Sequence, residues 1–310
     1  MDDLETKPGR EPLRPAAAAM VVPGAPGDEI DFSHAPAPVL PRATENPENR
    51  ADYVPPTPWQ FQIRVLKALV LRNVVSRSGD TRLGYLLTVI TPLLGITALL
   101  LAFELRGRTV PGDFSLPVFI ITGYPLWQAF MGIYRGAAAA GSSHDPLLMF
   151  PQITQLDLIL ARIILDVATN TFVFILFATG IIIVLHAQLP ADPFGVMMIY
   201  WSCSWIGAGF GMTMCAVQRI VPTVASFVTL LARFGMWISG VVFMVNSLPT
   251  WALEYLKWNP MLHCTEGARQ LWSSNYQSSI FSPSYIIICG TVLTVVGFTL
   301  ERLTRRWVGP

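Results

Sequence analysis

Three residues with polar, ionisable side chains recur at steps of three in segment 261–272: His263, Glu266 and Arg269. Side chains three positions apart share one side of a helix, so these groups can interact directly. A metal site would need more His, Cys or carboxylate ligands than this segment supplies, so we predict none. We predict instead an ion pair between Glu266 and Arg269 that orients the helix, with contact to a bound molecule as the alternative.

Charged residues inside apolar segments are the second group of candidates, because charge is costly in a membrane. Arg162 and Asp166 are spaced i,i+4 near the start of one such segment, where a structural ion pair is the expected role. Arg233 lies about midway along another segment, without an acidic residue near it in sequence. We predict that Arg233 faces an interface between two subunits (a subunit seam) or a water-filled pathway.

The run Gly207-Ala208-Gly209-Phe210-Gly211 superficially resembles a glycine-rich nucleotide loop. It lies within an apolar segment with no strand before it, and the sequence contains no Gly-Lys pair. Small residues let transmembrane helices approach closely, which is the role we predict for this run. If ATP powers this protein, another polypeptide must bind it.

The composition places these candidates in a membrane protein. Of 310 residues, 52% are hydrophobic and only 13% are charged. A helix needs about 20 apolar residues to cross the hydrocarbon core, and inside lipid its backbone must pair internally. We therefore predict an all-α membrane domain over residues 59–310 with six transmembrane helices, at 83–105, 116–140, 158–186, 195–217, 223–245 and 283–300.

The N-terminal segment 1–58 has a different composition. It holds 12 of the 25 prolines and ten acidic against five basic residues. Such a segment cannot bury enough apolar surface to offset the entropy of ordering, so we predict a disordered cytoplasmic tail.

Segment 59–76 is predicted to be an amphipathic helix at the membrane interface. Apolar residues recur at steps of three and four, and Arg64, Lys67 and Arg72 share another face. With the N-terminus inside, eleven Lys and Arg residues flank the spans on the cytoplasmic side and four on the outside. This asymmetry predicts that both termini are cytoplasmic. The loop before the last span is rich in Trp, which favours short re-entrant or surface helices there.

Three motifs, in order, resemble a known family. The first is Arg82-Leu83-Gly84-Tyr85-Leu86-Leu87 followed by Pro92, and the second is a cytoplasmic loop with two prolines. The third is Asn259-Pro260-Met261-Leu262-His263, before the last span. Together they resemble the ABC-2 type permeases, and more narrowly the capsular-polysaccharide and O-antigen export permeases of bacterial inner membranes. Leu87 departs from that pattern, because many relatives have Trp there.

The resemblance implies a homodimer in the bacterial inner membrane, docked on two copies of a separate ATPase that binds ATP and Mg²⁺. No cofactor is expected on this chain, and no nucleic acid is an expected partner. Contacts with the ATPase are expected at the interface helix and the proline-containing loop, at Trp59, Arg64, Lys67, Arg72, Asp145, Pro146 and Pro151. The outside helices would gate the exit, with Asn259, Pro260, His263, Glu266 and Arg269 as gate residues.

The implied cargo is a polysaccharide or glycolipid. A periplasmic or outer-membrane export channel is a further expected partner. Sugar rings stack on aromatic planes, so aromatic residues at helical spacing are candidates for lining the path of the cargo. The candidate path residues are Trp127, Phe130, Tyr134, Phe227, Phe234 and Trp237, together with Arg233. Packing or a place in the interfacial aromatic belt is the alternative. The alternatives for function are an ABC-2 exporter of a drug or lipid, a membrane-embedded transferase of a glycan pathway, and a structural scaffold.

The charge asymmetry makes a testable prediction about topology. A phosphatase reporter that is active only outside the cytoplasm should be inactive when fused before Met1 or after Pro310, and active when inserted near Gln188 in the loop 187–194. Activity at one terminus but not at the other would contradict an even number of spans.

Overall fold

The computed structural model describes residues 57–78, 83–107, 114–140, 146–149 and 153–308, for some of them the backbone only. The predicted disordered tail therefore lies almost entirely outside the described residues. Within these ranges the regular structure is helical and no strand occurs. The helices are α1 (Pro58–Ser78), α2 (Leu83–Leu105), α3 (Leu116–Ile121), α4 (Tyr124–Ala140), α5 (Gln155–Val184), α6 (Pro193–Ile220), α7 (Pro222–Ile238), α8 (Thr250–Leu256), α9 (Pro260–Trp272) and α10 (Pro283–Val308).

Proline and side-chain caps mark where several helices begin. Pro193, Pro222 and Pro260 occupy the first turns of α6, α7 and α9, where the missing N–H has no intrahelical partner in any case. Thr154 caps α5 in a reciprocal arrangement with Asp157. Asp192 accepts a hydrogen bond from the Gly195 N–H at the start of α6, at 2.9 Å.

Three helical stretches among the described residues are long and apolar enough to cross a membrane: Leu116–Ala140, Gln155–Val184 and Pro283–Arg305. The first is interrupted between α3 and α4, at Thr122 and Gly123. Two shorter apolar helices, Ile90–Leu105 and Pro222–Ile238, coincide with the predicted first and fifth spans.

The predicted fifth span, 223–245, is too long. Helix α7 ends at Ile238, because Gly240 adopts a left-handed conformation (φ +73°) that favours glycine and ends a helix. A side chain at this position would also meet Leu262 and Thr265 of α9. The residues after Gly240 leave the helical path and run across α9.

Helix α6 is the centre of the subunit, packed between α4 and α10 and against α9. The glycine run predicted to allow close packing does so on two sides. A Cβ on Gly207 would lie 3.0 Å from the carbonyl oxygen of Phe130 in α4. A Cβ on Gly209 would lie 2.9 Å from the backbone nitrogen of Thr294 in α10. Such close approach adds van der Waals contact between the helices, which is needed because the hydrophobic driving force between helices is missing in lipid.

A helix also forms where the interface helix was predicted, and part of the predicted apolar stripe is buried. Leu66 and Val70 of that stripe pack around the buried Leu69, whereas Trp59 at its start is exposed. The physical reason is that α1 packs against α5, with Leu69 beside Leu158 and Ala161. Arg64, Lys67 and Arg72 are exposed.

The close approach of α6 and α10 can be tested with alanine. Gly209→Ala should lower the free energy of unfolding by about 1–3 kcal/mol, because the methyl group meets backbone atoms that no rotamer change can move. Gly180→Ala is the matched control, since nothing lies within 4 Å of the added Cβ in α5. Unfolding of the purified protein in detergent, followed by tryptophan fluorescence, measures both. Equal stability of the two variants would contradict the packing described.

Candidate functional site

The predicted ion pair between Glu266 and Arg269 is present and completely buried. Arg269 Nη1 lies 2.9 Å from Glu266 Oε1, and both side chains have 0% exposure. Two charges removed from water require compensating partners, since desolvation costs several kcal/mol for each ion. The surroundings of the pair supply those partners from other elements of the chain.

Arg269 binds the segment that follows α7. Its Nη1 donates to the carbonyl oxygen of Phe243 at 2.9 Å, and its Nη2 donates to that of Gly240. The guanidinium carbon also lies 4.3 Å from the centroid of the Phe119 ring in α3, a cation–π distance. One side chain of α9 thus fixes both α3 and the end of α7.

Glu266 uses both carboxylate oxygens. The Tyr276 hydroxyl donates to Oε2 at 2.5 Å, and the Val245 N–H donates to Oε1 at 3.4 Å. Burial lowers the pKa of Arg269, while the neighbouring Glu266 charge opposes that shift. Burial, and then the Glu266 charge, raise the pKa of Tyr276, which keeps its hydroxyl as a donor. We call Glu266, Arg269 and Tyr276 the Arg269 cluster.

The other predicted gate residues hold the start of α9. The Asn259 side chain accepts from the Met261 N–H at 3.0 Å and donates to the carbonyl oxygen of Ile238 at 3.0 Å. Pro260 follows in the first turn. His263 is buried, with Nε2 2.7 Å from the carbonyl oxygen of Lys257. The five predicted gate residues therefore lie on one helix and its cap, and their role in a gate stays a prediction.

Helix α9 also reaches the loop between α5 and α6. Trp272 donates from Nε1 to the carbonyl oxygen of Gln188 at 2.9 Å, and its own carbonyl oxygen accepts from the Ala191 N–H at 3.0 Å. Helix α8 contrasts with α9, because none of its residues is buried. Of the two short helices, α9 is an integral part of the subunit core.

The structure separates the two aromatic sets. Trp127, Phe130 and Tyr134 lie in the main core, where the rings of Tyr134 and Phe210 are 5.0 Å apart. The Tyr134 hydroxyl lies 2.8 Å from Thr229 Oγ1 of α7. This set packs against the inner side of α7, and a role in a cargo path stays a prediction.

The aromatic set of α7 lies on the opposite face of that helix and is open. The exposed fractions are 59% for Phe227, 63% for Phe234 and 57% for Trp237. Arg233 is exposed on the same helix. A single subunit therefore presents an aromatic surface with one cation, which no other part of the same subunit covers in the described residues.

The residues of α1 that are predicted to contact an ATPase are accessible. Trp59, Arg64, Lys67 and Arg72 are exposed along α1. Pro146 begins a short 3₁₀-helix, Pro146–Met149, whereas Asp145 and Pro151 lie outside the described residues.

The predicted ion pair within the membrane also forms. Arg162 Nε lies 3.2 Å from Asp166 Oδ2 in α5. This carboxylate is seated directly against Gly136 of α4, where a Cβ would collide with Oδ2. Asn170 donates to the carbonyl oxygen of Asp166 at 2.8 Å. The pair is a contact between helices, in agreement with its expected structural role.

Several participants were not identified from the sequence. Tyr276 completes the Arg269 cluster and the Phe119 ring lies against the guanidinium, but these two residues lie in a loop and in α3, with no local pattern that links them to α9. Gln62 donates to Asp157 and joins α1 to α5. Only Asp157 had a usable signal, since Thr154 and Asp157 have the spacing of a helix-capping pair.

Comparison with known proteins adds independent findings. The model of the family described as ABC-2 type transporter matches residues 64–272. A capsule polysaccharide export inner-membrane protein, CtrC of Neisseria meningitidis serogroup B, is 28% identical over 250 residues, 81% of this chain and 94% of that protein. BexB of Haemophilus influenzae, described in the same words, is 24% identical over the same shares. The polysialic acid transport protein KpsM of Escherichia coli is 28% identical over 79% of this chain and 95% of its own.

The Arg269 cluster makes a prediction about stability. Glu266→Gln leaves the Arg269 charge buried without a counter-charge, so the free energy of unfolding should fall by about 3–5 kcal/mol. Glu254→Gln, at an exposed position of α8, is the matched control and should change it by less than about 0.5 kcal/mol. Denaturant unfolding of both purified variants provides the comparison. If Glu266→Gln is as stable as Glu254→Gln, the ion pair does not hold α9 in place.

Proposed function

The chain belongs to the ABC-2 type transporter family, and we propose that it is the permease subunit of an ATP-binding-cassette exporter that moves a capsular or related cell-surface polysaccharide across the bacterial inner membrane. The observation that carries the proposal is the similarity to capsule export proteins over nearly their whole length. This similarity favours a polysaccharide over a drug or a simple lipid as cargo. It also favours transport over a transferase reaction.

The family works with an ABC ATPase, and ATP with Mg²⁺ would be bound by that partner. We propose that the permease crosses the membrane six times, through α2, α3 with α4, α5, α6, α7 and α10. The eleven basic residues on the proposed cytoplasmic side support cytoplasmic termini. In this orientation α1 lies at the inner interface with its basic side chains accessible, and α8 and α9 lie at the outer side.

We propose that two subunits enclose the path and that the open face of α7 lines it or forms the seam. Exposed Phe227, Phe234 and Trp237 offer planes for the C–H faces of sugar rings. Weak stacking at successive positions would hold a polymer without fixing it. Arg233 would bind acidic groups of the cargo or bridge the two subunits, which explains an arginine within an apolar span.

We propose that export proceeds through movements of helices and that the chain itself breaks no covalent bond. ATP binding would close two copies of the partner ATPase, which then displace α1 and the loop 141–157. These movements would shift the half-paths between inward-facing and outward-facing states, with α9 as the outer gate. An outer-membrane or periplasmic channel would receive the polymer.

The experiment that tests this function is deletion of the gene in its host. Surface polysaccharide should disappear and long polysaccharide should accumulate in the cytoplasm, because synthesis continues without export. Both pools are measured by extraction and sizing of the glycan. Unchanged glycan pools combined with loss of a lipid or drug resistance would instead indicate the other cargo class.

Complementation tests the proposed path in the same strain. Wild-type protein should restore export, whereas Trp237→Ala should restore it several-fold less efficiently because one stacking plane is lost. Ile288→Ala, at a similarly exposed apolar position of α10, is the control and should restore export fully. Full export by Trp237→Ala would exclude this face as the path.

The purified subunit without a partner should hydrolyse no ATP.

A further inference from the structure

One face of α1 is bound to the beginning of α5. Leu69, the buried residue of α1, packs with Leu158 and Ala161 of α5, and Leu66 lies beside it one turn earlier. Gln62 continues this face by another turn, and its side-chain amide donates a hydrogen bond to Asp157 Oδ1. The contact thus has an apolar part and a polar end.

Asp157 is the centre of the polar end. It is buried, and its second oxygen, Oδ2, accepts from the Thr154 N–H at 2.8 Å and from Thr154 Oγ1 at 2.7 Å. Both carboxylate oxygens are therefore engaged, one by the cap of α5 and the other by α1. A charged acceptor makes stronger hydrogen bonds than a neutral one, and the N-terminus of α5 favours its negative charge.

The loop before α5 joins the same contact. Leu147 and Leu148 of the 3₁₀-helix, with Ile153, pack against the cluster formed by Leu69 and Leu158. The two elements expected to meet the ATPase are thus held together at the start of α5.

Helix α1 is bound less tightly to α4. A small cavity of about 170 Å³ lies between Asn73 of α1, Ala139 and Ala140 of α4, and Arg162 of α5. Further along, α5 is attached to α4 through Asp166, seated against Gly136. At the cytoplasmic end α1 therefore has space to move beside α4, whereas α5 is held against α4 at a contact deeper in the membrane.

We propose that Gln62 and Asp157 are positioning residues that couple the ATPase to the transmembrane helices. Their hydrogen bond makes α1, the 3₁₀-helix Pro146–Met149 and the start of α5 one rigid block, so that a displacement of either cytoplasmic element reaches α5. Without the bond, α1 turns on its apolar contact and the displacement is lost. This inference rests on the proposed function, which supplies the ATPase and the export reaction.

The test separates coupling from folding by measuring export per ATP hydrolysed. Gln62→Ala removes the donor, and Gln62→Glu places a second carboxylate opposite Asp157. In the full permease–ATPase complex, both variants should hydrolyse ATP at the wild-type rate while cells export several-fold less of the host's surface polysaccharide. Gln60→Ala is the matched control, because it removes an exposed amide of the same helix that bonds to Thr57 and not to Asp157, and it should leave the ratio unchanged.

A covalent bridge provides the rescue. Gln62→Cys combined with Asp157→Cys should uncouple export from hydrolysis until a short bifunctional thiol reagent joins the two positions, and bridging should then restore export. The wild type treated with the same reagent controls for its native cysteines. A variant that loses ATP hydrolysis and export together, or a bridge that stops export, would overturn the proposal, because the two elements would then need to move separately.

Failure of the proposed function would look different. In that case the wild-type complex exports no polysaccharide, which is seen before any variant is compared. An unchanged ratio in Gln62→Glu, with a wild type that exports, refutes the coupling role alone.

Discussion

The buried ion pair between Glu266 and Arg269 is the constraint on which the packing around α9 depends. Neither charge reaches solvent, so every partner lost would leave a charge or a carbonyl group unsatisfied at a cost of several kcal/mol. Those partners come from α3, from the segment after α7 and from Tyr276. Any movement of α9 would therefore carry its neighbours with it or break the cluster.

The cytoplasmic end is built differently. There α1, with its exposed basic side chains, contacts α5 through an apolar cluster and the hydrogen bond from Gln62 to Asp157, next to a cavity. Between these ends, glycines of α6 bring its backbone against α4 and α10. Packing and hydrogen bonds must do this work because lipid removes the hydrophobic drive for helices to associate. A rigid centre with a looser end at α1 suits the proposed transmission of force from the ABC ATPase.

Local patterns in the sequence predicted local contacts well. The pairs Glu266–Arg269 and Arg162–Asp166 form because residues three or four apart must meet on a helix. The close-packing role of the glycine run followed from its position in an apolar segment. Tyr276 and Phe119 could not be predicted as partners of the pair, since their contacts depend on how distant segments fold over α9. The end of α7 was predicted too late, because Gly240 ends the helix and the residues after it run across α9.

The sequence by itself determined that the chain forms apolar helices, where most of them lie, and which charges pair within a helix, because these follow from backbone hydrogen bonding and helical spacing. It also carried the motifs of the family. Only the tertiary structure decided that Trp127, Phe130 and Tyr134 are buried while Phe227, Phe234 and Trp237 are open. Both sets recur at helical intervals, and lipid is as apolar as a protein core, so hydropathy cannot distinguish a packed face from an exposed one.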